Sequence, residues 1–266
     1  MADRPIEVSE VGDVAAGPRM PFDYAAPSAD PIREDLVIAH RRAWDRISEA
    51  GTWWNGRERV AIAAEARAAE YCSLCRRRRE ALSPFSEEGD HDDVSGDVLP
   101  PAAIDAVHRI ITDPTRLTSA WVESMVEMGV PKTHYVELVS VVVSIRSIDA
   151  FHNAMGLEPE RLPTPRDGEP SRRKPDSAVE GEAWVPMLPA GRLRGEESDL
   201  WGMQTGNVIR ALSLVPDAVR WLKELSAAHY LDMKAMPDFT RGRGPLSRAQ
   251  TELIAGRVSA MNECFY

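Results

Sequence analysis

Cys72-Ser73-Leu74-Cys75 is the stretch best equipped for chemistry, because two thiols three positions apart can share a redox step, a disulfide or a metal ion. Arg76, Arg77, Arg78 and Arg79 follow at once, and positive charge beside a thiol favours the thiolate, its nucleophilic form. Glu65 stands seven residues before Cys72. Read as one continuous helix, that is two turns, so carboxylate and thiol project from nearly the same face and suit a proton relay. Three readings of the pair stay open. A redox or peroxidase dithiol leads. A zinc half-site would need two further ligands at suitable spacing, and there is no second cysteine pair. Two cysteines packed as small hydrophobes on an alanine-rich helix would need no chemistry at all.

The end of the chain echoes this stretch. Laying Cys264 on Cys72 puts Ser247 on Asn55, Ile254 on Ile62, Ala255 on Ala63 and Ala260 on Ala68. Each copy reads as a capped amphipathic helix running into a cysteine. The first continues to Cys75, whereas the second ends at Tyr266, where the matching partner would come next.

The string from Glu252 through Asn262, Cys264 and Tyr266 resembles the core of the alkyl hydroperoxidase D (AhpD)-like and carboxymuconolactone decarboxylase superfamily. Its signature is a Glu, a Cys twelve residues on, Tyr or His, a second Cys, and a His four further. Glu252 and Cys264 have that spacing. The stretch from His134 to Glu158 is similar to the helix that follows the cysteine pair in such proteins. The resemblance implies an all-α, AhpD-like fold of two related helical repeats, the second truncated, and an oligomer of identical chains. It implies a thiol-dependent peroxidase acting on a hydroperoxide and recharged by a thiol reductant, with Cys264 as redox residue and Glu252 as relay carboxylate. It calls for no cofactor and no metal. The family pattern has His four beyond the second cysteine, where the first copy has Arg79, so that copy lacks the relay imidazole.

Some relatives carry selenocysteine at the position after Tyr266, in a codon commonly read as stop, so the expectation is a selenoprotein interrupted there. A UGA followed by an open frame bearing a His supports it, and a UAA or UAG stop defeats it. A decarboxylase-like acid–base enzyme and a catalytically degenerate scaffold are the alternatives. Cysteine-free activity on a lactone marks the first, and inertness with tight oligomerisation the second.

The elements that must position these residues are helical. The 266-residue chain is 43% hydrophobic, ample for a core. A formal net charge of -10 argues against a broad nucleic-acid surface. The sequence has no basic-then-apolar leader and no membrane-length apolar run, which points to a cytoplasmic protein, and three cysteines argue against a disulfide framework.

Residues 1–34 read as an extended or disordered arm, 35–162 as a first repeat, 163–200 as a Pro-rich linker or wrapping loop, and 201–266 as a truncated second repeat. Leu36, Ala39, Ala43 and Ile47 make one helical face, closed by Gly51. Trp53-Trp54 reads as packing at a helix junction rather than a ligand platform. Asn55 caps a helix that runs into Cys72. Glu88 to Asp93 reads as a solvated acidic loop, not a hard-metal site. His108 falls off the apolar stripe of Ile104, Val107 and Ile111, and Asp113-Pro114 opens a further helix that ends at Gly129. The stretch from Pro131 to Gly156 should be a central helix with Val142 and Val143 in the core, its Glu137, Arg146 and Asp149 marking ion pairs or a subunit contact. Trp184 with Val185-Pro186-Met187-Leu188 should anchor the linker on a neighbouring element. Helix resumes at Asn207, breaks near Pro216, and Ser247 caps the last one, which must bend near Asn262 if Glu252 and Cys264 are to cooperate.

Overall fold

The structure, a computed structural model, describes residues 20–24, 32–181, 183–203, 205–232, 235–262 and 264. It is all-α. Among the described residues the helices are α1 (Glu34–Ser48), α2 (Gly56–Ala68), α3 (Ser73–Glu80), α4 (Pro101–Thr112), α5 (Ser119–Glu127), α6 (Lys132–Ala154), α7 (Asn207–Arg210), α8 (Pro216–His229) and α9 (Arg248–Met261). Extended pairing is limited to one antiparallel bridge, Val179 to Met187. No described helix is long and apolar enough to cross a membrane.

The 23-residue helix α6 is the axis against which α2, α4 and α8 pack, and α1 lies across α2 and α8. Its middle is apolar nearly all round, so it can face neighbours on several sides. Leu138, Val141, Val142, Ile145 and Ile148 are buried, whereas Val143 is only half-buried. The three charged exceptions on α6 each find a partner within the chain. Glu137 faces Arg59, Asp149 takes a two-pronged bond from Arg67 at 2.8 and 2.7 Å, and Arg146 pairs with Glu70. Residues of 35–162 and 201–266 share one hydrophobic cluster, with Val215 and Val219 as buried as Ile62.

Cap chemistry explains where the two echoing helices begin. Asn55 accepts from the Glu58 N–H while Glu58 accepts from the Asn55 N–H, and Ser247 and Gln250 repeat that reciprocal pair. In the register that lays Cys264 on Cys72, Arg248 falls on Gly56 and Met261 on Ala69, so the helices start together and end within one residue of each other. Their packing differs: Ile62 is fully buried, and its counterpart Ile254 is exposed.

Several local expectations need correcting. α1 ends at Ser48, before Gly51. Gly51 is required instead by close approach, since a Cβ there would lie 1.8 Å from Glu137 Oε1. Pro114 opens only a short turn, and α5 starts after Thr118, whose hydroxyl accepts the Trp121 N–H. Of the stretch expected to anchor the linker, Val185, Met187 and Leu188 are buried as expected, but Trp184 is 47% exposed. Trp54 donates to the His134 carbonyl at 2.9 Å with its ring edge-on to His134, as a junction residue should. Most of the stretch expected to be an N-terminal arm lies outside the described residues, but Phe22 is buried edge-on against Trp44 with ring centroids 4.7 Å apart.

A part-buried chain of hydrogen bonds joins Tyr24, α1, α6 and α8. His152 Nδ1 faces the Glu158 carbonyl at 2.8 Å; a carbonyl only accepts, so the proton sits on Nδ1 and Nε2 must accept. Tyr24 therefore donates to His152 and accepts from His40 Nδ1, leaving His40 Nε2 to accept from His229, each at 2.8 Å. Burial, with repulsion from His229 and His152, lowers the His40 pKa from 6.5 to about 3. The unfolded chain thus takes up a proton below pH 6.5 that the folded chain refuses. The stability His40 contributes is full above 6.5 and is lost as pH falls from there toward 3. Wild type should lose about 2 kcal/mol more than His40→Gln between about pH 6.5 and about pH 5. Parallel melting curves for the two proteins over that range would contradict this.

Candidate functional site: a cysteine–histidine cluster

The backbone is not helical straight through to Cys72. α2 ends at Ala68, Ala69–Tyr71 tighten into a 3-10 turn, and Cys72 is extended at φ -64, ψ 126 as the N-cap residue of α3. Cys72 therefore stands before the new helix and Cys75 in its first turn. The expected two-turn relation of Glu65 to Cys72 does not hold. The break turns both sulfurs toward α4 and the loop before it, where they are 2% and 3% exposed.

Two imidazoles meet them there. His108 of α4 is fully buried, with Nδ1 3.3 Å from Cys75 Sγ and Nε2 2.9 Å from Glu65 Oε2. His91, from the loop, places Nδ1 3.6 Å from both Cys72 Sγ and Cys75 Sγ, while its Nε2 lies 3.0 Å from Asp105 Oδ1. Glu65 thus reaches the thiols through an imidazole, and that imidazole comes from α4 rather than from the position of Arg79. The expected position of His108 off the apolar stripe is corrected by its i+4 relation to Ile104 and i+3 relation to Ile111, which put it on the buried face.

The acidic loop is likewise only partly solvated. Glu65 Oε1 accepts the N–H groups of Val94 and Ser95 at 2.8 and 2.6 Å, and Asp92 accepts the Ser73 N–H at the start of α3. The Asp92 N–H in turn points at Cys72 Sγ, 3.5 Å away. Asp105 is held by Arg78, Arg109 and the Trp121 indole N–H. Of the four arginines after the pair, Arg78 therefore serves the second carboxylate rather than a sulfur.

Electrostatics follow from this geometry. Burial pushes the Cys75 thiol up, but hydrogen bonds from His108 and His91 outweigh it and bring the pKa down to about 6. Burial opposes the charged imidazoles too, yet Asp105 and the sulfurs raise His91 to about 10, and the Cys75 sulfur with Glu65 raises His108 to about 9. Burial would raise Asp105, and its bonds to His91, Arg109 and Arg78 hold it well below the usual carboxylate range. Protons thus sit on nitrogen and negative charge on sulfur.

A cleft of about 420 Å³ opens on the pair, lined among others by Tyr71, Cys72, Cys75, Arg76, Arg79 and Arg146. The second set of expected site residues lies elsewhere. Glu252 accepts from the Tyr230 hydroxyl at 2.7 Å and from Arg248 at 2.5 Å. Cys264 is exposed beyond the end of α9 at Met261, and no hydrogen bond joins it to Glu252 among the described residues. Tyr266 lies outside them. His91 and His108 escaped the sequence reading because they lie 16 and 33 positions from Cys75, on a loop and on a separate helix. No family model, no curated protein and no solved structure matches this chain.

Proposed function

We propose that the chain is a thiol-dependent, peroxidase-like redox protein of the alkylhydroperoxidase type whose working dithiol is Cys72 and Cys75. The observation that carries this reading is the buried line from Glu65 through His108 to Cys75, which supplies a base-backed imidazole at a thiol within a cysteine pair. In this reading Cys75, as thiolate, attacks the terminal oxygen of a hydroperoxide ROOH and becomes a sulfenic acid. His108 hands the departing alkoxide its proton to give ROH. Cys72 then displaces the sulfenic oxygen as water and closes the disulfide, which an external dithiol reopens. The sulfurs lie within 4.8 Å of one another, so a side-chain rotation and a small shift bring them to bonding distance.

The test is consumption of tert-butyl hydroperoxide by the full chain, stripped of metal and supplied with a dithiol reductant. Wild type should turn over, Cys75→Ala should be inert, and Cys72→Ala should stall after a single sulfenic acid. Undiminished turnover in the Cys72→Ala/Cys75→Ala double variant would sink the reading.

A further inference from the structure

We infer that Cys72, Cys75, His91 and His108 are a tetrahedral binding site for a zinc-class divalent cation in the reduced protein. The donor set is two thiolates and two imidazole nitrogens, with all four ligand atoms within 4.8 Å of one another. An ion bound at about 2.3 Å from sulfur and about 2.05 Å from nitrogen would put tetrahedral sulfur–nitrogen edges at about 3.6 Å. The three such edges that are hydrogen-bonded measure 3.6, 3.6 and 3.3 Å. Closing the whole set onto one centre draws the remaining pairs in by roughly 1.5 Å at most.

The surroundings are those of a metal site as well. Each imidazole has its Nε2 against a carboxylate, Glu65 for His108 and Asp105 for His91, which favours a proton on Nε2 and turns Nδ1 toward the sulfurs; Arg78 Nη1 also lies 3.2 Å from His91 Nε2 and bridges to Asp105. Both carboxylates are themselves held, Glu65 by two backbone N–H groups and Asp105 by Arg78, Arg109 and Trp121. The Asp92 N–H pointing at Cys72 Sγ offsets part of the negative charge two thiolates bring. An ion replaces the Nδ1 and thiol protons, so binding releases protons and ties α3, α4 and the intervening loop together. The four donors complete the tetrahedron and leave no position open for a substrate, which marks the ion as a structural or redox-released occupant rather than a Lewis acid.

This inference stands on the four donors and does not rest on the peroxidase reading, though the two meet at the same sulfurs. A hydroperoxide taking two electrons from the metal-bound thiolates, with two protons, gives the Cys72–Cys75 disulfide, ROH and water, and sets the cation free. Metal content of the reduced chain reports on the site, and peroxide consumption by the metal-free dithiol reports on the enzyme, so either can fail alone.

The experiment is zinc quantification in the full reduced chain after equilibration with zinc sulfate and desalting, with cobalt(II) substitution beside it. Roughly one zinc per chain is expected, with intense visible d–d bands and a thiolate-to-cobalt charge-transfer band in the cobalt form. His91→Ala should lose the ion, and Asp105→Asn, which touches no donor sulfur, should weaken binding by about 10–100-fold while still giving the tetrahedral cobalt spectrum. Should a variant misfold, the wild-type cobalt spectrum decides on its own. Wild-type protein that keeps no zinc and gives only the weak spectrum of hexa-aqua cobalt would overturn the site.

Discussion

Glu137→Ala should cost about 3–5 kcal/mol of folding stability, because it strands a buried guanidinium. Arg59 and Glu137 are 2% and 0% exposed in their side chains and sit 3.6 Å apart between α2 and α6. Desolvation lowers the Arg59 pKa against the pull of Glu137, and raises that of Glu137 against the pull of Arg59, so each charge depends on the other. Glu137 also accepts the Trp53 N–H at 2.6 Å, and Arg59 stacks over the Trp221 ring at 4.5 Å, so the pair links the α1–α2 junction to α6 and α8. In a chain of this size the loss should appear as a fall of roughly 6–20 °C in thermal midpoint. Removing both charges with apolar replacements, Arg59→Met with Glu137→Leu, should recover much of it, since neither charge is then left unpaired. A single variant that melts within about 2 °C of wild type would show that the pair is hydrated and that the packing described for α2 on α6 is wrong.

The second large effect concerns turnover. His108→Gln keeps a polar side chain of similar size in a fully buried place, yet removes the imidazole between Glu65 and Cys75 to which the proposed mechanism gives the proton transfer. Losing a positioned acid–base group typically costs about 10²–10⁴ in rate. The loss should fall on kcat rather than on KM, because His108 meets the reacting sulfur and does not line the cleft. Unchanged kcat in a folded His108→Gln protein would remove His108 from the chemistry.

What sequence could show was local. The caps at Asn55 and Ser247, the buried face of α1 and the apolar middle of α6 all follow from residue type and spacing within one element, and each stands in the structure. The paired charges of α6 were visible as charges, though their partners Arg59, Arg67 and Glu70 lie on or just after α2. The half of the site that lay outside sequence reach depends on contacts between elements. A helical reading carried Glu65 to Cys72 along one face because nothing in Ala68-Ala69-Glu70-Tyr71 breaks a helix by propensity. The turn at Ala69–Tyr71 is what brings Cys75 to His108 of α4. A bend of this kind was expected before Cys264, near Asn262, where α9 does end, and the first copy bends at the corresponding place. His91 looked like part of an acidic surface loop, and only the tertiary fold shows Asp92 and Glu65 pinning that loop against the cysteines.

The central claim, that Cys72 and Cys75 act as one redox unit, is tested most directly by mapping thiols after oxidation. Metal-free reduced protein is treated with one equivalent of organic hydroperoxide, alkylated, and digested with trypsin. Cleavage after Arg67 and Arg76 leaves both cysteines in the peptide Ala68–Arg76. That peptide should appear unalkylated and lighter by two hydrogens, with Cys264 alkylated as in the untreated protein. Full alkylation of Cys72 and Cys75 after peroxide, or oxidation confined to Cys264, would contradict the account.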